Sequence, residues 1–94
     1  MVEEQFRKAL AYIKDTSNPP LDTNNEQKLD FYALFKQATD GPPKGSPPSR
    51  FKVVERAKFN AWKAKEKLTK EQAMQEYVDL LTKLAPQWRE KAKL

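Results

Sequence analysis

Apolar positions recur along this chain at helical spacing, in four stretches punctuated by proline and glycine. Within residues 3–15, Phe6, Ala9, Leu10 and Ile13 stand three, four and seven residues apart, which places them on one helix face. Lys14 follows Leu10 by one turn, at the edge of that stripe. The segment from Asp15 to Asn25, with Asn18-Pro19-Pro20 inside it, is a loop. Thr23, Asn24 or Asn25 can cap a second helix, for which Glu26 and Gln27 are placed to complete a capping box. That helix runs to about Asp40 and stops at Gly41, followed by Pro42-Pro43. Residues 41–50 hold both glycines and four of the seven prolines, an irregular loop that Phe51 can anchor. A third helix, about 52–65, carries Val54, Ala57, Lys58 and Ala61 on one side, with Phe59 and Trp62 as core residues on another. Thr69 caps a fourth, with Glu71 and Gln72 in its first turn. It carries Ala73, Met74, Tyr77, Val78, Leu80, Leu81 and Leu84 before Pro86 ends or kinks it. β-branched residues are scarce and no stretch alternates, so the expected class is all-α.

The second helix bears two stripes. Phe31, Leu34 and Ala38, with Gln27 a turn earlier, form one; Leu29, Tyr32 and Lys36 form the other. A bundle helix needs one buried face, so a second that sets an aromatic ring one turn before a cation is a candidate ligand surface. Lys58 lies along the third helix's apolar stripe, where its stem either snorkels to water or brings the ammonium to an anion in a cleft. Tyr77 lies inside the fourth helix's stripe, a position that suits a core ring with its hydroxyl at the edge. Taken together, two tyrosines and two lysines suit an aromatic base with phosphates: ring faces for stacking, ammoniums for charge-assisted hydrogen bonds. That chemistry serves a nucleotide-like ligand and single-stranded nucleic acid alike.

Composition narrows the classes. Ninety-four residues make one domain, and the chain has neither cysteine nor histidine. Disulfides, thiolate metal sites, the usual triads and most zinc sites are thereby excluded. The 13 acidic residues read as solvated surface, and nothing pairs carboxylates or lysines convincingly for catalysis, so an enzyme is poorly supported. A formal charge of +5 favours anionic partners. No run is long and apolar enough to cross a membrane, and Met1-Val2-Glu3-Glu4 is no signal peptide, so a soluble cytoplasmic protein is expected. Lys63, Lys65, Lys67 and Lys70 form a basic cluster that reads as solvated surface before it reads as a nucleic-acid footprint. The terminal Ala92-Lys93-Leu94, with Arg89 and Lys91 upstream, is similar to a Ser-Lys-Leu peroxisomal address.

The chain resembles the acyl-CoA-binding protein family. The resemblance rests on Phe31-Tyr32, Lys36-Gln37-Ala38-Thr39 with Gly41, Pro48, Ala57-Lys58-Phe59 with Ala61-Trp62, and Thr69-Lys70-Glu71 with Ala73-Met74 and Tyr77-Val78. It covers roughly residues 4–88, leaving 89–94 as a short basic tail, and needs no gap from Leu29 to Val78. It implies a four-helix up-down-down-up bundle that binds medium- and long-chain fatty acyl-CoA esters. By position, Tyr32 would contact the adenine and phosphate region and Lys36 the 3′-phosphate. Lys58 would serve the CoA phosphates or the thioester end, Tyr77 would complete the nucleotide site and Lys14 would lie at its rim. Ala9, Ile13, Leu29 and Phe35 would shield the acyl chain. Phe35 stands where tyrosine is frequent, Phe59 where tryptophan is, Ser49 where glycine is usual, Glu66-Lys67 in place of a Lys-Gly turn, and Val54 where some members carry lysine.

The resemblance implies a monomeric, non-enzymatic carrier with no cofactor. It would take acyl-CoA from membranes or solution and hand it to acyl-CoA-using enzymes, with no nucleic acid as partner. The rival is a small basic helical module that binds nucleic acid or an acidic protein through the Lys63–Lys70 cluster.

Overall fold

A computed structural model describes residues 1–19 and 21–91. The four expected helices are present: α1 (Val2–Lys14), α2 (Asn25–Asp40), α3 (Val53–Ala64) and α4 (Lys70–Leu84). No strand occurs among the described residues. A fifth helix of one turn, α5 (Trp88–Lys91), follows Pro86.

Local signals set the helix ends. The Asn24 side chain accepts from the Gln27 amide at 2.8 Å while Gln27 Oε1 accepts from the Asn24 amide at 3.0 Å, a complete capping box. Thr69 and Gln72 repeat the device at the start of α4. Gly41 ends α2 with φ of 80°, a conformation that side chains resist, while its amide bonds back to the Gln37 carbonyl. α4 stops at Leu84, ahead of Pro86, with Ala85 as its cap.

The core lies where α1, α2 and α4 meet. Phe6, Ala9 and Tyr12 come from α1, Leu34 and Ala38 from α2, and Ala73, Tyr77, Val78 and Leu81 from α4. Trp88 of α5 completes it at 1% exposure, making it one of the largest fully buried side chains. Its indole nitrogen donates to Thr82 Oγ1 at 2.9 Å, which satisfies the one polar atom that such burial would strand. The chain past Pro86 therefore starts with a core residue and a turn of helix packed on α1, which the sequence did not suggest.

α3 packs on α2 and buries no residue. Three expectations for this region are corrected. Phe51 does not anchor the preceding loop but stands 88% exposed, and Val54 is exposed as well. Phe59 and Trp62 are half-buried wall residues, because α3 has a helix on one side only. On α1, Tyr12 joins Phe6 and Ala9 in the core, while Ile13, expected on the same apolar stripe, is exposed. The terminal Ala92-Lys93-Leu94 lies outside the described residues.

Candidate functional site

Lys28, Tyr32 and Lys36 stand one turn apart along α2, in a row about 12 Å long, and the last two meet α3. α3 supplies the partners. Lys58 Nζ lies 5.3 Å from the Tyr32 ring centroid, and Trp62 presents its ring to Lys36 Nζ at 5.0 Å. Trp62 is held in place by its indole N–H, which donates to the Gly41 carbonyl at 2.8 Å. Gln37, on the buried side of α2, ties the helix to the α3–α4 turn by donating to the Leu68 carbonyl at 2.7 Å. Lys36 also forms an ion pair with Asp40 one turn on, at 2.6 Å. That hydrogen bond raises the lysine's pKa and lowers the carboxylate's. The result is a strip of two ring faces and two ammoniums, open to water, with one carboxylate already on Lys36.

A groove of about 510 Å³ opens where the end of α1, the loop after it and the start of α2 come together. Its lining includes Tyr12, Ile13, Pro19, Leu21, Phe31 and Tyr77, with Asp15, Thr23 and Lys28 among the polar members. The size falls in the range of about 300–1,000 Å³ typical of small-molecule sites. The Tyr77 ring meets Phe6 and Phe31 edge-on at 5.2 and 5.0 Å, an aromatic cluster that fixes the floor. Burial pushes the Tyr77 phenol up to about 12. The loop wall is pinned by Asn18 Nδ2 donating to the Tyr12 carbonyl at 3.0 Å. Ser17 donates to Asp15 through both its amide and its hydroxyl, which lowers the Asp15 pKa.

Of the residues singled out in the sequence, the structure brings Tyr32, Lys36 and Lys58 together in the strip, and sets Ile13 and Tyr77 in the groove. Phe35 packs half-buried against the core, Leu29 is half-buried on α2, and Lys14 is exposed at the end of α1 beside Ile13. Ala9 does not line the groove. At 0% exposure it belongs to the α1–α4 packing, where a small side chain lets the helices approach. Lys28 was missed, although it precedes Tyr32 by one turn as Tyr32 precedes Lys36. Leu21 and Pro19 were missed because a loop has no period to read. In the basic cluster of the α3–α4 turn, Lys63 stands 4.0 Å from Glu66, a pair at the limit of contact. Among the described residues no group of acidic side chains is arranged to hold a metal ion.

A family profile described as Acyl CoA binding protein matches residues 3–81. The chain belongs to the acyl-CoA-binding protein family. It is 46% identical over 65 residues to an acyl-CoA-binding protein of Ricinus communis, covering 69% of this chain and 72% of that one. It is 44% identical over 84 residues to the human enoyl-CoA delta isomerase 2, covering 89% of this chain but 21% of that protein. Several curated relatives are much longer, and the chain spans 20–27% of their length. The crystal structure of acyl-CoA-binding protein 2 of Oryza sativa superposes with a TM-score of 0.81 at 35% identity, covering 92% of this chain and 90% of that one. Helix for helix, the four-helix bundle is that of the family.

Proposed function

We propose that this domain is a carrier for medium- and long-chain fatty acyl-CoA esters, working as a cytoplasmic monomer and performing no chemistry on the thioester. One observation carries the reading: Lys28 lines the apolar groove and stands one helical turn before Tyr32, the first ring of the aromatic–cationic strip. An amphiphile with a long apolar chain and a phosphorylated aromatic head matches that sequence of surfaces. Tyr32 and Trp62 offer ring faces to the base, and Lys36 and Lys58 offer ammoniums to its phosphates. Ile13, Leu21, Phe31 and Tyr77 shelter the first methylenes of the chain.

The two halves contribute differently. Each methylene removed from water adds about 0.8 kcal/mol, so affinity rises with chain length until the groove is filled. The phosphate contacts are charge-assisted and orient the ester, and they weaken as salt screens the exposed strip. A loaded carrier then exchanges its ester with membranes and with enzymes that use acyl-CoA. Titration calorimetry with CoA and palmitoyl-CoA tests the division: the acylated ligand binds the tighter by orders of magnitude. Equal affinities would refute it.

A further inference from the structure

α3 begins at a feature that neither the core nor the ligand strip uses. Phe51, Val53 and Val54 are exposed by 88%, 71% and 61%, and they follow one another within four residues. The core offers them no place, because α3 packs mainly on α2 and buries none of its described residues. They are nonetheless held in a defined shape. The Lys52 amide donates to the Ser49 carbonyl at 2.9 Å, closing a turn with Phe51 at its crest, and the Phe51 amide donates to Ser49 Oγ at 3.2 Å. Arg56 Nη1 donates to the Pro48 carbonyl at 2.8 Å, fastening the turn to the helix behind it. Arg50 and Lys52 flank the phenylalanine, both exposed, and Glu55 is the acidic residue of the helix's first turn.

We infer that this turn is a docking surface for an anionic lipid bilayer. Phe51 enters the interface between headgroups and acyl chains, Val53 and Val54 rest on it, and Arg50 and Lys52 meet lipid phosphates. The chemistry selects this occupant over others. Three side chains make too small an apolar area for a stable protein interface, which needs about 800 Å² from each partner. A bilayer accepts a single aromatic wedge with basic neighbours. Nucleic acid would use the cations and the ring but has no use for two exposed valines. The surface is continuous with the ligand strip, since Val54 precedes Lys58 by one turn and Lys58 stands over Tyr32. For its purpose, loading an ester at the membrane, the inference rests on the carrier reading; for its test it does not.

The chain has no cysteine, so Phe51→Cys offers one site for an environment-sensitive fluorophore. With ligand-free vesicles of phosphatidylcholine and phosphatidylserine, the label's emission shifts to the blue and is quenched by lipid-borne quenchers. With phosphatidylcholine alone it stays as in water. A label on Glu76→Cys, exposed on α4, does not respond to either. In sedimentation with the mixed vesicles, unlabelled Phe51→Ala loses about tenfold in partitioning. Arg50→Glu and Lys52→Glu each lose about fivefold or more. Palmitoyl-CoA affinity in solution is unchanged in all three. An unresponsive label at position 51, an equal response at position 76, or a shift that grows with protein concentration without lipid would overturn the proposal, the last in favour of a second copy. Vesicle docking without acyl-CoA binding would leave this surface standing and remove the carrier reading instead.

Discussion

α3 and α4 are of similar length, 12 and 15 residues, yet α4 buries four side chains and α3 none. Both are amphipathic, so the difference lies in what surrounds them. α4 is packed between α1 and α2, and its apolar stripe closes the core; α3 packs mainly on α2. What holds α3 in place is a set of edge contacts: Trp62 to the Gly41 carbonyl, Lys58 over Tyr32 and Lys36 over Trp62. All four of those side chains, Tyr32, Lys36, Lys58 and Trp62, are the ones the candidate strip is built from. In the proposed reading, the buried core and the phosphate-facing strip draw on different side chains, and substitutions should separate them.

The largest separation is expected at the far end of the core. Trp88→Ala empties a fully buried site and costs about 3–5 kcal/mol in urea unfolding followed by circular dichroism. Val54→Ala, on the exposed face of α3, stays within about 0.5 kcal/mol. A Val54 variant as damaging as the Trp88 one would mean that α3 has a buried face after all. Next comes Tyr77, where burial raises the folded-state pKa from 10.0 to about 12. The folded protein keeps a proton that the unfolded chain loses, so this contribution is intact below pH 10 and is lost as the pH climbs to about 12. Compared with Tyr77→Phe, the wild type should lose roughly 2–3 kcal/mol more stability across that window. Parallel pH profiles would show that the phenol is not desolvated.

On the recognition side the effects appear in affinity. Lys36→Ala and Lys58→Ala should each weaken palmitoyl-CoA binding by about ten- to hundredfold, while the lost cation–π contact lowers stability by no more than about 1 kcal/mol. Loss of affinity with matching loss of stability would erase the distinction between the two helices. The smallest effect concerns Asp40, whose carboxylate competes with any phosphate for Lys36. Asp40→Asn should tighten binding by about two- to fivefold, a modest gain because both groups are solvated. Weaker binding in calorimetry would instead make Asp40 a support for Lys36.

How much of this was legible beforehand follows the same divide. The helix limits were written in residue types, with Asn24 and Gln27, Thr69 and Gln72, and Gly41 each acting over a few residues. The paired stripes of α2 were visible as periodicity, and Tyr32 and Lys36 could be read from them, as Lys58 could from the stripe of α3. The groove was not, because Pro19 and Leu21 come from a loop whose course depends on what it packs against. Trp88 was hidden for a related reason: it follows a proline break and has no periodic neighbours, and its burial is decided by α1. Ala9 was misjudged in the opposite direction, since periodicity marks a face but not which part of that face remains open.

The central claim is that the strip holds the phosphorylated head and the groove holds the chain. Calorimetry of Lys36→Ala and Ile13→Asp against both CoA and palmitoyl-CoA tests it most directly. Lys36→Ala should weaken the two ligands by the same factor, while Ile13→Asp should weaken palmitoyl-CoA and leave CoA untouched. If Ile13→Asp weakened CoA as much as palmitoyl-CoA, or Lys36→Ala spared both, the assignment of the two surfaces would be contradicted.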